Sequence, residues 1–337
     1  MAPRRTSAAR PRRCIVLGGT GHIGNALARA LLGQGHEVTV TCRRDGDRAN
    51  LQDLDITVLA GDDGHPERLA SWIKGQDLVI DAAAPYPIRL FDPAKSGREQ
   101  RDQALQRSRC LIEAVADLRA EFVYISSFTT LPKQRPWHER LQSAVLQGSH
   151  PYFETKAAIE REVVSAAANG LPAIIVNPTV CLGPFDQKPR EACFIPTVAR
   201  GELMGVTGQM LNVIDVRDVA DATLGALAEK SYGRPIALSG HNIDLASLVE
   251  KISALVGRRP PRMRASTRLT AAGAWWTDAL FGAFGQTPPF PSLPFLLLCE
   301  CRAISPSSGQ RNLGLTPRPL ETTLEDALRW YQQIGYC

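Results

Sequence analysis

A chain of 337 residues, 44% hydrophobic and 22% charged, carries enough apolar material for more than one core and lies far from the composition that leaves a chain disordered. Its formal net charge of +5 does not mark a nucleic-acid partner: Arg4, Arg5, Arg10, Arg12 and Arg13 all precede the first apolar run, and the remainder is balanced. Six histidines and eight cysteines fall at no metal-ligand spacing, the pair Cys299 and Cys301 included, so no metal is expected.

Residues 1–13 read as a disordered basic tail. No apolar stretch follows the arginines before Cys14, which argues against a secretory signal; the composition is compatible with a transit peptide, and the cytoplasm is the expected compartment. From Cys14 onward, short β-rich apolar runs alternate with helical stretches, the pattern of a parallel sheet covered by helices. Strands are expected at Cys14–Leu17, Glu37–Thr41, Thr57–Ala60, Leu78–Asp81, Phe122–Ser126 and Ala173–Asn177. Helices are expected at His22–Leu32, Arg98–Ala116 and Tyr152–Ala168. The fold class is therefore α/β, a Rossmann-type doubly wound sheet.

Directly after the first strand comes Gly18-Gly19-Thr20-Gly21-His22-Ile23-Gly24. Between a strand and a helix, such glycines let the backbone turn tightly and approach a pyrophosphate, and the helix N-terminus offers free N–H groups to it. Gly18, Thr20, Gly21, His22, Ile23 and Gly24 are accordingly assigned to a dinucleotide. About twenty residues on, where an NAD site places an acid for the ribose 2′-hydroxyl, this chain has Arg43 and Arg44. Arginine pairs bidentately with a phosphate, so NADP(H) is favoured over NAD(H). Asp62, with Asp63 beside it, follows the third strand at a position suited to the adenine amino group.

The strand Phe122–Ile125 ends in Ser126-Ser127, and Tyr152 and Lys156 open an alanine-rich helix. Spacing of four puts phenol and ammonium on one helix face. A lysine cation beside a phenol favours phenolate, which makes tyrosine a proton donor and acceptor near neutral pH. A serine hydroxyl at the strand end is suited to hold a substrate carbonyl.

After Pro178 the rhythm changes. The dinucleotide domain is expected to span 14–182, with 211–240 returning to it; 183–210 and 241–337 form a smaller, interleaved C-terminal substrate domain. The run Phe295–Leu298 is too short to span a bilayer. Trp275, Trp276, Leu280, Phe281, Phe284, Phe290, Pro294 and Phe295 are candidates for an apolar cover over a hydrophobic ketone or alcohol, with a core or dimer contact as the competing role.

Taken together, these motifs resemble the extended short-chain dehydrogenase/reductases, the NAD(P)-dependent epimerase/dehydratase group that includes dihydroflavonol-reductase-like enzymes. The resemblance runs through the glycine turn, Asp81-Ala82-Ala83-Ala84, Ser126-Ser127, Tyr152/Lys156, Asn177-Pro178-Thr179, Gly183-Pro184, the segment 213–220 and Leu313-Gly314-Leu315-Thr316-Pro317-Arg318-Pro319-Leu320. It implies that Tyr152 is the catalytic acid/base and that Lys156 also holds the nicotinamide ribose. Ser127 would bind the carbonyl, with Ser126 as the second choice. Ala82, Ala83, Asn177 and Pro178 would join Tyr152 and Lys156 in the cofactor site, and the resemblance also implies a homodimer. Two departures stand out: Phe128-Thr129-Thr130-Leu131 lacks the Asp-Glu pair of the nucleotide-sugar dehydratases, and Asp81 stands where many members have histidine. The expected activity is carbonyl–alcohol interconversion on a small hydrophobic substrate. The alternatives are a nucleotide-sugar epimerase that retains its cofactor and a non-catalytic dinucleotide-binding regulator.

Overall fold

The computed structural model describes residues 10–43, 48–83, 97–132, 151–188, 193–284, 286 and 292–337. Residues 1–9, Arg44, Ala84 and Phe290 lie outside them.

The first lobe is built on β1 (Arg13–Leu17), β2 (Glu37–Cys42), β3 (Thr57–Ala60), β4 (Leu78–Asp81), β5 (Glu121–Ile125), β6 (Ala173–Pro178) and β10 (Pro235–Leu238). These seven strands are all parallel, in the order β10-β6-β5-β4-β1-β2-β3. The chain winds outward from β1 in one direction, then restarts at β4 on its other side, so the switch point lies between β1 and β4, where doubly wound sheets bind ligands. β4 and β6 are buried along their whole length, because helices cover both faces.

On one face lie α1 (His22–Gly33) and α6 (Val216–Ala228), packed on Val16, Val40, Ile80 and Ile174. The other face carries α2 (Pro66–Ile73), α3 (Gly97–Leu118) and α4 (Pro151–Ala168), packed on Leu17, Val79, Phe122 and Ile175. Proline at the first position of α4 costs no intrahelical bond, since that N–H is unpaired in any helix.

A second lobe collects β7 (Val180–Leu182), β8 (Val206–Thr207), β9 (Met210–Asp215), β11 (His241–Asp244) and β12 (Arg264–Ala265). Its helices are α5 (Phe194–Arg200), α7 (Leu245–Leu255), α8 (Thr267–Ala283), α9 (Ser292–Glu300) and α11 (Leu320–Gln333), while α10 (Ser308–Asn312) packs back on β10 of the first lobe. Leu211, Val249, Ile252, Leu324 and Leu328 form its core. β9 pairs with β11 and β7 in a separate three-stranded sheet, while the helix after it, α6, crosses back to α1. Asp215 makes that turn possible: its carboxylate caps α6 by accepting from Arg217 N. Among the described residues no helix is long and apolar enough to cross a membrane.

Candidate active site

The glycine turn is held in place by backbone contacts. Gly18 has φ of +81°, a left-handed conformation that side chains resist, and a Cβ there would stand 2.9 Å from Ala83 Cα and 3.0 Å from Ala82 O. Gly24 is more constrained still, since a Cβ would lie 2.3 Å from Gly18 O. The end of β2 is tied to the same turn: Thr41 Oγ1 accepts from Gly18 N at 3.0 Å and Thr41 O from Gly19 N at 2.9 Å. Gly21 caps α1 with no side-chain hydrogen bond, which leaves the N–H groups of the first turn to a ligand. That geometry fits a pyrophosphate.

Asn50, absent from the sequence-based set, knits this turn to a distant loop. Its Nδ2 donates to Thr20 O at 3.0 Å and to Phe185 O at 3.1 Å, and Phe185 is a non-glycine residue at φ +71°. His22 is buried, and burial lowers its imidazole pKa against the opposing charge of Asp186; Ile23 packs on the core beneath. Arg43 is exposed at the end of β2. Asp62 is also exposed and accepts from Gly64 N at 2.9 Å.

Asp63 instead turns inward. Arg107 of α3, buried, bonds Asp63 Oδ2 at 2.7 Å and grips Asp81 bidentately at 2.8 and 3.0 Å. Burial alone would push the Asp81 carboxyl up, yet the charge and hydrogen bonds of Arg107 outweigh it and hold Asp81 below the ordinary carboxylate value. The unusual acid in place of histidine at the end of β4 is thus matched by an arginine that no local spacing announces.

At the C-terminal ends of β5 and β6, Ser126, Ser127, Lys156 and Asn177 come together, and Tyr152 lies one helical turn before Lys156 on α4; all five are buried. Lys156 Nζ donates to Ile125 O at 2.9 Å, and burial lowers its pKa to about 8 against the attraction of Asp81 and Glu160. Tyr152 lies edge-on to Phe153, ring centroids 5.5 Å apart, over Leu293 and Leu296 of α9. The two serines differ. Ser126 Oγ donates to Glu160, whereas Ser127 Oγ accepts from Thr129 N at 3.2 Å and from Thr129 Oγ1 at 3.0 Å.

Glu160 is a further residue absent from the sequence-based set. One turn beyond Lys156 on α4, it accepts from Ser126, from Thr130 Oγ1 at 2.7 Å and from Asn177 Nδ2 at 2.6 Å. Asn177 also donates to Ser127 O at 3.2 Å, and Pro178 ends β6 beside it. The tyrosine-lysine-glutamate spacing of four and four was a readable signal, although a charge on a helix usually faces water.

Comparison with known proteins follows the same outline. The model of the NAD dependent epimerase/dehydratase family matches residues 14–238. The chain is 30% identical to a Synechocystis sp. protein provisionally named dihydroflavonol 4-reductase, over 96% of this chain and 95% of the other. To sterol demethylase protein B of Methylococcus capsulatus it is 28% identical, over 95% of this chain and 98% of that one. The crystal structure of gox2253 superposes with a TM-score of 0.75 at 28% identity, covering 97% of this chain and 99% of that one.

Proposed function

The chain belongs to the NAD-dependent epimerase/dehydratase family, and from that premise we propose that it is an NADP(H)-using oxidoreductase interconverting a carbonyl and an alcohol on a small hydrophobic substrate. The observation that carries the reading is the placement of Lys156. Its ammonium is buried, fixed to Ile125 O, and one helical turn from Tyr152, at the strand ends next to the glycine turn.

Hydride is what the nicotinamide nucleotide supplies in such a site. The chain's own groups do the remainder. Tyr152 passes a proton to the carbonyl oxygen or takes one from the alcohol, and the Lys156 cation stabilises the phenolate that results. Ser127 is the better carbonyl holder: its oxygen accepts two hydrogen bonds within the chain, which leaves its proton to donate outward, whereas Ser126 spends its proton on Glu160. Arg43, exposed at the end of a strand that is bonded to the glycine turn, supports NADP(H) through the 2′-phosphate. The sterol in the name of the Methylococcus relative, together with the apolar side chains above Tyr152, supports a lipophilic substrate.

The test is absorbance at the reduced-nicotinamide band with NADPH and a panel of hydrophobic ketones. Ketone-dependent oxidation is expected. Tyr152→Phe should cut it by about 10²–10⁴-fold while nucleotide binding, measured by calorimetry, stays nearly unchanged. Sugar interconversion without net NADPH consumption would replace this reading with the epimerase, and full activity in the variant would remove Tyr152 from the chemistry.

A further inference from the structure

α8 has two faces of opposite use. Ala271, Ala274 and Asp278 point inward, and Ala271 packs in the small cluster that contains Tyr152, Phe153, Leu293 and Leu296. The outward side carries Leu269, Trp276 and Leu280, with Phe284 at the helix end, at steps of seven, four and four, which is one helical stripe. They are 75%, 68%, 59% and 74% exposed. Isolated exposed leucines are ordinary; an aligned stripe with two tryptophans beside each other, Trp275 and Trp276, marks a contact surface. The helix's single acidic residue, Asp278, is buried and accepts from Ser292 N, so the outward face carries no negative charge.

The segment leading into this helix is basic. Arg258, Arg259, Arg262, Arg264 and Arg268 fall within eleven residues, all exposed. Arg264 lies 3.6 Å from Glu250; among the described residues the other four have no ion-pair partner. An apolar stripe containing tryptophan, roughly 22 Å long at the α-helical rise, preceded in the chain by arginines that have no ion-pair partner among the described residues, has the chemistry of a helix that lies in a bilayer surface. Arginines meet the headgroup phosphates, tryptophan takes the interface, and leucine and phenylalanine enter the acyl boundary. A second copy of this chain is a poorer match, since a symmetric contact brings the same arginines and no acid to receive them.

We infer that α8 docks this protein on the surface of an anionic phospholipid bilayer, with Leu269, Trp276, Leu280 and Phe284 in the membrane and Arg258, Arg259, Arg262 and Arg268 on its headgroups. The inference goes beyond the catalytic reading and does not require it. If that reading also holds, one helix separates the bilayer from Tyr152, and a lipophilic substrate reaches the site without crossing water.

The experiment is flotation of the full chain with phosphatidylcholine vesicles, with and without phosphatidylglycerol, at low and high salt, in the absence of nucleotide and substrate. Expected are binding to the phosphatidylglycerol vesicles, weakening in high salt, and a blue shift of tryptophan emission. The paired changes Arg262→Glu and Arg268→Glu, and separately Trp276→Ser with Leu280→Ser, should each reduce partitioning at least about tenfold with an unchanged melting temperature. A chain lacking the basic residues 1–9 should still bind. Three outcomes overturn the inference: no binding to anionic vesicles, binding that survives both pairs of substitutions, or binding lost with the N-terminal deletion. Loss of a dimer in the Trp276/Leu280 variant with vesicle binding intact assigns the stripe to a second copy instead.

Discussion

Burial brings the Lys156 ammonium down to about 8 from an ordinary 10.5, which ties two pH dependences to one residue. Its folded pKa is below its unfolded one, so the unfolded chain holds the proton more tightly between those values, and stability rises as pH climbs from about 8 toward 10.5. Activity runs the other way. If the cation supports the Tyr152 phenolate, turnover falls above pH about 8, an alkaline limb that a pH profile of kcat will show and that replacing Lys156 by Met removes together with most of the rate. Gly24 gives a second test, independent of ionisation. Gly24→Ala sets a methyl against a carbonyl oxygen that belongs to the turn itself, and the expected result is loss of nucleotide affinity by at least tenfold in calorimetry. The glycines and the tyrosine-lysine pair were legible because each is defined by spacing along one turn or one helix. The family resemblance already puts Ser127 ahead of Ser126, but the physical reason for that order was not legible, since it depends on Glu160, thirty-four positions away from Ser126.

Elements differ in how far their sequence speaks for them. The six strands read from apolar runs all form, and the continuous burial of β4 and β6 explains why periodicity of two is absent from those two. α3, in contrast, was visible as a helix but not as the carrier of Arg107, whose partners Asp63 and Asp81 are 44 and 26 residues away. Removing that arginine leaves the buried Asp81 carboxylate and the half-buried Asp63 without their shared cation. Arg107→Met is expected to destabilise the protein by about 3–5 kcal/mol, and urea unfolding should show it. Adding Asp81→Asn to the same chain should recover part of that loss, because one of the two uncompensated charges is gone. β10 was missed for another reason: Pro235–Leu238 is four residues long and begins with proline, which is tolerated at a sheet edge and uninformative in sequence.

At the scale of the whole molecule, the change of rhythm after Pro178 and a later return of the chain to the first lobe were readable, but the element at which that return begins was not. The segment around 211–228 reads as one strand-helix unit, and the structure divides it, sending β9 to the second lobe and α6 to the first. Apolar patterning says that a face is buried and does not say against which partner. The nucleotide lobe is consequently incomplete without residues that lie beyond much of the second lobe. A chain ending at Gly205 lacks both α6 and β10, and it should be insoluble or molten, with no cooperative unfolding transition by near-ultraviolet circular dichroism.

That interleaving also has a meaning for biogenesis. On a ribosome β6 emerges about 60 residues before β10, an interval of about 3–12 s at ordinary rates of elongation. During that time its outer edge is an open template of unpaired N–H and C=O groups. Vectorial synthesis therefore delivers the edge strand last, and a nascent chain of this architecture is most exposed to mispairing with its neighbours on a polysome in the seconds before residue 238 leaves the exit tunnel.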